Sequence, residues 1–305
     1  MSEHTVGMVG VGNMGGRITG RLTAAGLRVV GYDSRAEAVE AAGAVPAASL
    51  REVAEQCDVL LLSLPDSNAV EAVVVGQDGL LAHCRPGQVI VDLSTSAPAS
   101  TRRLHDQLAE RDVAFLDAGI SGGAAAAEKG TLTLMVGGSA EVLDGVRAVL
   151  APFSAKVFHL GGTGSGHTAK LLNNFLNAVS LSATAEVMVA GKRAGLDLHD
   201  LLDVLNASSG VNFATLNRFP HIVDGDYLEG GLTGRLMMKD VVLYVERLQE
   251  LGVPSLNASG PMAAFGLANA LGYADSISNR VVDAIGDVAG GVRLHGETEQ
   301  KGHQG

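Results

Sequence analysis

The chain has 305 residues, 47% of them hydrophobic and 18% charged, and it contains 40 glycines. This length allows two domains, and the composition is typical of a soluble, glycine-rich α/β protein. The formal net charge of −11 disfavours nucleic acid and anionic membrane as partners, so an acidic substrate requires a local positive site.

The first predicted element is a short buried strand, Val6 to Val9, which leads into a glycine-rich turn. Gly10, Gly12 and Gly15 form the pattern G-x-G-x-x-G between this strand and a helix predicted at 17–25. In such a motif the three glycines permit a tight turn, a close approach to pyrophosphate and close helix–strand packing. The N–H groups at the start of the helix face the anion, so the segment predicts a dinucleotide site.

A second predicted strand, 27–32, ends just before Asp33, the position at which an acid binds the adenosine ribose hydroxyls. Asn13 and Met14 lie inside the glycine motif and are assigned to the same cofactor site. The Asp33 carboxylate would repel a 2′-phosphate, whereas Arg35 could pair with one. NAD is therefore the expected cofactor, with NADP as the alternative.

Strand-like runs recur through the first half of the chain, at 6–9, 27–32, 58–64, 88–93, 113–116, 132–136 and 156–160. Helical stretches separate the early ones. This alternation predicts an α/β fold with a mostly parallel, doubly wound sheet, which is a Rossmann domain at residues 1–162.

No strand-like run occurs after Gly166, and the pattern of apolar residues from there on predicts helices. One long helix is predicted at 167–194, ending at Gly195, within an interdomain segment assigned to 163–194. It is expected to join the two domains and line the cleft between them. An all-helical domain for substrate binding and oligomerisation is expected at 195–290, with helices at 197–207, 234–251, 257–271 and 275–288. The polar, glycine-rich residues 291–305 are predicted to be a disordered tail.

Lys170 and Asn174 lie four residues apart on the long predicted helix, which places both side chains on one helical face. A lysine beside an amide packs poorly among Leu, Phe and Ala. It is suited to donating a proton to a developing alkoxide while the amide holds the substrate. An ordinary lysine, with a pKa of about 10.4, is a poor base at neutral pH, so burial is expected to lower that pKa.

Cysteine usage and hydropathy favour the cytoplasm. Cys57 and Cys84 lack metal-ligand spacing and are expected to be reduced thiols. Residues 1–4 run directly into the first strand, so we expect no signal peptide, and no apolar run reaches the length of a membrane span. No metal site is expected.

Five ordered motifs are similar to those of the β-hydroxyacid dehydrogenases, the 3-hydroxyisobutyrate dehydrogenase-like family. They are GVGNMG (10–15), DLSTSAPASTRRL (92–104), DAGISGGAAAAEKGTLTLMVGG (117–138), GGTGSGHTAKLLNNF (161–175) and MMKDVVLYVERLQELGVPSLNASGP (237–261). The resemblance covers residues 1–290. It implies reversible oxidation of a 3-hydroxy acid to its semialdehyde with NAD or NADP.

The resemblance assigns roles to individual residues. Lys170 matches the catalytic lysine, and Asn174 orients the substrate. Ser121, Gly122 and Gly123 match the loop that binds the substrate carboxylate, where backbone amides and a hydroxyl form a compact anion nest. Lys239 matches a second lysine that reaches the cofactor.

Two strand ends are expected to contribute further contacts. Ser94 and Thr95 are expected to contact cofactor and substrate, and they could equally cap a helix from Ala97 onward. Leu64 and Pro65 are expected to touch the cofactor, and they could simply terminate the strand. The side chains of His167, His159, Asn173 and Asp240 are expected to be structural.

The chain departs from the family pattern at Gly119, where a proline is usual. The glycine is expected to loosen a turn before the carboxylate loop. The segment 208–236 is expected to contact the far end of the substrate through Asn212, Phe213 and Arg235.

Several alternatives stay open at the level of function. The substrate could be 3-hydroxyisobutyrate, glycerate, 4-hydroxybutyrate, serine, threonate or a sulfonate analogue. A reductase of imines or other carbonyls is a second hypothesis, which a lysine at 170 disfavours. A non-catalytic NAD-binding module is a third, which the retained Lys170 and the Ser-Gly-Gly loop disfavour. The family resemblance implies a homodimer or homotetramer.

Overall fold

The structure is a computed structural model that describes residues 5–296. It divides into two compact units, and the boundary between them falls between Lys170 and Leu171. The first unit is built on one sheet and the second is helical. This is the predicted fold class, an N-terminal Rossmann domain followed by an all-α domain.

Eight strands form the sheet in the order β3-β2-β1-β4-β5-β6-β7-β8. Their bounds are β1 Val6–Val9, β2 Val29–Tyr32, β3 Val45–Pro46, β4 Val59–Leu62, β5 Val89–Asp92, β6 Ala114–Ser121, β7 Leu132–Gly137 and β8 Ser154–His159. All neighbouring pairs are parallel except β6 and β7. The central strands are continuous apolar runs because helices cover both faces of a parallel sheet, as in β4, where all four residues are buried.

Helices of the first unit follow the strands, and their bounds are α1 Asn13–Ala24, α2 Ala36–Ala41, α3 Leu50–Gln56, α4 Ser67–Val75, α5 Pro98–Ala109, α6 Gly123–Lys129 and α7 Ala140–Leu150. α1 starts four residues before the predicted 17–25 because Gly12, and not a later residue, occupies its N-cap. The sequence did not predict β3, because it has two residues and one of them is a proline that cannot donate to the ladder.

A single long helix, α8 (Ser165–Arg193), contains Lys170 and Asn174 one turn apart. The last residue of the first unit, Lys170, and the first residue of the second, Leu171, are consecutive in this helix.

The second unit contains α9 Leu198–Asn206, α10 Phe213–Asn217, α11 Phe219–Ile222, α12 Gly234–Glu250, α13 Ser259–Ala268 and α14 Val281–Val288. Two predicted helices were too long. The helix predicted at 257–271 is α-helical only over α13. A π-helical turn, Asn269–Tyr273, follows it, and Gly272 in that turn has φ 94°. The one predicted at 275–288 consists of a 3-10 turn, Ser278–Arg280, followed by α14.

The predicted disorder of the tail 291–305 was wrong for its first six residues. Val292 and Leu294 are buried, and they belong to the same hydrophobic core of the second unit as Tyr227, Ile222 and Ala284. The N–H of Val292 donates to the carbonyl of Gly286, which folds this segment back onto α14. The remaining residues, 297–305, lie outside the described part of the chain.

Two features are absent from residues 5–296. None of the helices there combines the length and apolarity that crossing a membrane requires. In the same residues, no group of three or more His, Cys, Asp and Glu side chains is arranged to hold a metal ion.

Replacing Leu294 by alanine tests the packing of the tail. Because this side chain is 4% exposed, Leu294→Ala should lower the free energy of unfolding by about 2–4 kcal/mol in urea denaturation. Leu256→Ala is the matched control, since Leu256 is 79% exposed and should change stability by less than about 0.5 kcal/mol. Equal, small effects of the two substitutions would show that the tail does not pack as described.

Candidate active site

The glycine turn after β1 has the shape that a dinucleotide site requires. A methyl group on Gly15 would lie 1.9 Å from the carbonyl oxygen of Gly10, so only glycine lets α1 pack this closely on the strand. A methyl group on Gly12 would meet no atom within 4 Å, so the backbone there faces open space. Gly12 also caps α1 without a side-chain hydrogen bond, which leaves N–H groups of the first turn for an anion.

Asn13 and Met14, the first residues of α1, differ in their surroundings. Asn13 is exposed and its carbonyl accepts a hydrogen bond of 2.7 Å from Arg17. The Met14 side chain packs against the core of the first unit. The cofactor contacts predicted for both residues remain a proposal.

Asp33 is tied to the glycine turn by its own carboxylate. Its Oδ2 accepts a hydrogen bond of 2.7 Å from the N–H of Val11, and its Oδ1 accepts one of 3.0 Å from the N–H of Arg35. Burial raises the pKa of Asp33, but these two hydrogen bonds and the charge of Arg35 outweigh it and hold the pKa below its ordinary value. The exposed Arg35 guanidinium lies 3.8 Å from the carboxylate.

The ends of β4 and β5 are joined by a hydroxyl. The N–H of Leu64 donates to the Oγ of buried Ser94 over 2.9 Å. Asp92 organises the β5 end, because its carboxylate accepts from the N–H of Ser94 and the hydroxyl of Ser96. The alternative that Ser94 or Thr95 caps a helix is wrong, since the N-cap of α5 is Ala97.

Thr95 is half-buried and Pro65 is exposed, each in the loop that follows its strand. Because β4 and β5 are parallel, their carboxyl ends lie at one edge of the sheet, where open α/β sheets bind ligands.

A buried carboxylate on β6 accepts hydrogen bonds from backbone N–H groups at the start of α8. Asp117 is 0% exposed, and its two oxygens accept from the N–H of Gly164 over 2.7 Å and from the N–H of His167 over 2.8 Å. These N–H groups lack partners inside the helix, and the helix dipole favours a negative charge at this end. Asp117 therefore fixes where the Lys170 helix begins.

His167 is structural, as expected. Its ring is 0% exposed, with Nδ1 2.7 Å from the hydroxyl oxygen of Thr101 and Nε2 3.3 Å from the carbonyl oxygen of Asp92. The imidazole thus bridges β5, α5 and α8. His159 likewise ends β8 with a contact of 2.8 Å to the carbonyl of Gly138.

The expectation that Gly119 loosens a turn was wrong. Gly119 lies inside β6, paired with Met135 of β7. A methyl group on it would lie 2.5 Å from Cβ and 2.9 Å from Cγ of Lys170. The glycine therefore provides the space in which the half-buried Lys170 side chain passes the sheet.

The predicted Ser-Gly-Gly loop is a strand-to-helix junction. Ser121 is the last residue of β6, Gly122 is the N-cap of α6 with φ 125°, and Gly123 is the first residue of that helix. Gly122 and Gly123 are exposed and Ser121 is half-buried, so the junction is accessible to a ligand.

Asn174 is held by a carboxylate in the second unit. The residue is 3% exposed, its amide nitrogen donates to Oδ2 of Asp240, and its oxygen accepts from Asn173 over 3.3 Å. Lys239 Nζ lies 3.1 Å from Oδ1 of Asp240. This second contact is an ion pair without hydrogen-bond geometry, because Oδ1 accepts no hydrogen bond within the described residues. Asp240 is structural, as expected.

Two of the three residues expected to contact the far end of the substrate have partners within the second unit. Asn212 is the N-cap of α10 and forms a capping box with Thr215. Arg235 is exposed and forms a two-pronged ion pair with Asp275, with both contacts at 3.0 Å. Phe213 is 58% exposed, and the centroid of its ring lies 5.8 Å from the guanidinium carbon of Arg218. The segment 208–236 thus contains two short helices that periodicity did not reveal.

Sequence reasoning missed Asp92 and Asp117 as positioning residues. A signal was present, because each begins a motif that resembles the family and each is an acidic residue within an otherwise largely apolar strand. The register of the sheet pairs the two residues directly.

Dinucleotide-binding proteins of the Rossmann type are the class of protein that this sheet and its glycine turn define. The family model for the NAD-binding domain of 6-phosphogluconate dehydrogenase matches residues 5–161. The model for the NAD-binding domain of NADP-dependent 3-hydroxyisobutyrate dehydrogenase matches residues 164–285. The chain belongs to the β-hydroxyacid dehydrogenases, the 3-hydroxyisobutyrate dehydrogenase-like family.

Relatives of known activity agree with this assignment. NAD-dependent L-serine dehydrogenase of Pseudomonas aeruginosa is 38% identical over 88% of this chain and 94% of its own length. 2-(Hydroxymethyl)glutarate dehydrogenase of Eubacterium barkeri is 35% identical over 82% of this chain and 84% of its own.

Solved structures of two kinds of enzyme resemble this chain. Mycobacterium tuberculosis 3-hydroxyisobutyrate dehydrogenase, solved with L-serine, superposes with a TM-score of 0.82 at 30% identity, covering 92% of this chain and 98% of that one. An imine reductase of Pseudomonas sp. is 17% identical with a TM-score of 0.61, which shows a shared fold alone. The predicted class, an NAD(P)-dependent hydroxyacid dehydrogenase, is confirmed at the level of the family.

Adding one methyl group at Gly119 should impair catalysis. In Gly119→Ala the new methyl group displaces Lys170, so kcat should fall by roughly 10–100-fold while cofactor affinity stays unchanged. Steady-state kinetics and fluorescence titration with NADH measure the two quantities. Gly145→Ala is the control, because a methyl group there meets nothing within 4 Å. Unchanged kcat in Gly119→Ala would contradict the role given to this contact.

Proposed function

We propose that the protein oxidises a small 3-hydroxy acid to its semialdehyde, and reduces the semialdehyde in the opposite direction, with NAD as the preferred cofactor. The observation that carries the proposal is the position of Lys170, which passes β6 at Gly119 on a helix anchored by buried Asp117. A lysine whose stem packs against a strand in this way, in a chain with a dinucleotide turn, is suited to proton transfer.

The dinucleotide fits the residues of the first unit. The open backbone at Gly12 and the first turn of α1 would hold the pyrophosphate, and Asp33 would accept the ribose hydroxyls. Asn13, Met14 and Gly15 belong to the same turn. Leu64, Pro65 and Thr95 would line the site from the ends of β4 and β5, and the family resemblance assigns Lys239 of the second unit to the same cofactor.

The proton and the hydride leave the substrate by separate routes. The nicotinamide ring, when bound, supplies the hydride acceptor. As the hydride leaves the carbinol carbon, the neutral amine of Lys170 takes the hydroxyl proton, so the C–O bond becomes a carbonyl. In the reducing direction the ammonium group of Lys170 returns that proton to the oxygen.

Substrate contacts come from two further segments in this proposal. The hydroxyl of Ser121 and the backbone at Gly122 and Gly123 would bind the carboxylate. The amide nitrogen of Asn174 has two N–H donors, and Asp240 accepts one of them. The other would orient the substrate hydroxyl, with the carboxylate of Asp240 preventing the amide from turning.

Each part of the chain has a role in the proposal. Residues 1–162 bind the dinucleotide, 163–194 connect the domains, and 195–290 bind substrate and form the oligomer. We propose a cytoplasmic homodimer or homotetramer. Light scattering should give at least twice the 31.2 kDa of one chain, and a single-chain mass at micromolar concentration would contradict this.

The proposal is tested by turnover measured at 340 nm. The acids tested would be 3-hydroxyisobutyrate, L-serine, L-threonate, glycerate, 4-hydroxybutyrate and 2-(hydroxymethyl)glutarate, each with NAD and NADP. Lys170→Ala should lose roughly 10²–10⁴-fold in kcat with the best acid while retaining NADH binding. Lys192→Ala, near the opposite end of the same helix, is the control and should retain activity.

Other results of this assay would favour one of the alternative functions. Turnover of carbonyls or imines that have no carboxylate would favour a reductase of that class. Tight NADH binding without turnover of any compound would favour a binding module. Wild-type activity in Lys170→Ala would remove Lys170 from the mechanism.

The cofactor preference should depend on Asp33. The negative charge of this carboxylate repels a 2′-phosphate, and Arg35 beside it can pair with one. Asp33→Ser should therefore raise the ratio of kcat/KM for NADP to that for NAD by at least about tenfold. Asp144→Ser, on the exposed face of α7, should leave the ratio unchanged. An unaltered ratio in Asp33→Ser would show that Asp33 does not select the cofactor.

A further inference from the structure

Arg218, between α10 and α11, is a half-buried cation with an unusual set of partners. One guanidinium nitrogen donates to Oδ1 of Asn279 over 2.7 Å, and the other terminal nitrogen donates to Oδ1 of Asn177 over 3.0 Å. Both acceptors are neutral amides. Within residues 5–296, no carboxylate oxygen pairs with this guanidinium.

Other partly buried arginines of the second unit have acidic partners. Arg280 lies 3.0 Å from Asp283, Arg293 lies 2.6 Å from Asp287, and Arg247 lies 2.7 Å from Glu250. Burial without such a partner lowers the pKa of Arg218 to about 10. Neutral oxygens compensate a desolvated charge only in part, so an anion at this position would stabilise it.

The two amides hold the guanidinium in a fixed orientation. Asn279 is 3% exposed, and its nitrogen donates to the carbonyl of Tyr227 over 2.8 Å, which turns its oxygen toward Arg218. A guanidinium has five N–H groups, and these two hydrogen bonds use two of them. The remaining donors can bind two oxygens of one anion in the fork geometry typical of arginine.

Asn177 links this cation to the helical face that carries Asn174. The two residues lie three positions apart on α8, which places both side chains on one face with about 4.5 Å between them along the axis. Asn174 is the residue of the second unit that we assign to the substrate. A second anionic group of the same substrate would therefore lie next to Arg218.

We propose that Arg218 binds an anionic group at the far end of the substrate, so that the protein prefers hydroxy acids with a second negative charge. This inference rests on the proposed function, since it extends the same substrate. A carboxylate is the group expected, and a sulfonate or phosphate ester has the same oxygen geometry. Arg218 is thus a specificity-determining residue, and Asn177 and Asn279 position it.

The test compares two compounds that differ only in the far group, 2-(hydroxymethyl)glutarate and the analogue in which the far carboxylate is a carboxamide. The wild type should prefer the diacid by at least about tenfold in kcat/KM. Arg218→Met should abolish that preference, mainly through a higher KM for the diacid, while kcat/KM for the amide stays within about threefold. Arg218→Lys retains the charge and should keep part of the preference.

Controls separate recognition from folding. Arg147→Met, at an exposed position of α7, should leave both kinetic constants unchanged, and thermal melting should show that each variant is folded. Equal losses for diacid and amide in Arg218→Met would mean that Arg218 only supports the fold, which would overturn the proposal. A wild type that does not prefer the diacid would overturn it as well.

A binding measurement keeps this test independent of turnover. If the wild type turns over neither compound, the proposed function is in error for these acids, and calorimetric titration with glutarate tests the anion site alone. Binding that the wild type shows and Arg218→Met lacks would support the site. Absence of binding to the wild type would overturn it.

Discussion

The Asp117 carboxylate connects the sheet of the first unit to the helix that carries Lys170. A buried carboxylate is costly unless hydrogen bonds compensate it, and here the N–H groups of Gly164 and His167 do so. The same contact satisfies donors that a helix start leaves without partners. The neighbouring Asp92, through the imidazole of His167, adds a second attachment between β5 and α8.

Space matters as much as charge at this attachment. Gly119 of β6 has no side chain at the point where Cβ and Cγ of Lys170 pass the strand. Gly166 is similarly enclosed, since a methyl group on it would lie 2.4 Å from the carbonyl oxygens of Asp117 and Met135. The first turn of α8 therefore lies against the backbone of the sheet. A catalytic lysine gains from such packing, because small displacements of a reacting group reduce rate strongly.

Local patterns predicted much of this protein, and long-range contacts could not be predicted in the same way. The glycine turn, the apolar strands and the long α8 follow from residue spacing and periodicity. The contact between Asp117 and His167 joins residues 50 positions apart, and no spacing rule indicates it. The surroundings of Gly119 likewise depend on a strand and a helix that meet only in the fold. Asn212 is a different case, because its contact with Thr215 is local: asparagine is a preferred N-cap residue, and it lies three positions before the threonine that completes the capping box.

Amide hydrogen exchange at the start of α8 tests the central claim most directly. Amides in the first turn of a helix usually exchange quickly, since they lack intrahelical partners. If Asp117 anchors the helix, the amides of Gly164 and His167 should exchange as slowly as those of the sheet, with protection approaching that of global unfolding. Exchange of both amides at nearly the rate of an unstructured peptide would show that α8 frays at this end, and would contradict the account of how Lys170 is positioned.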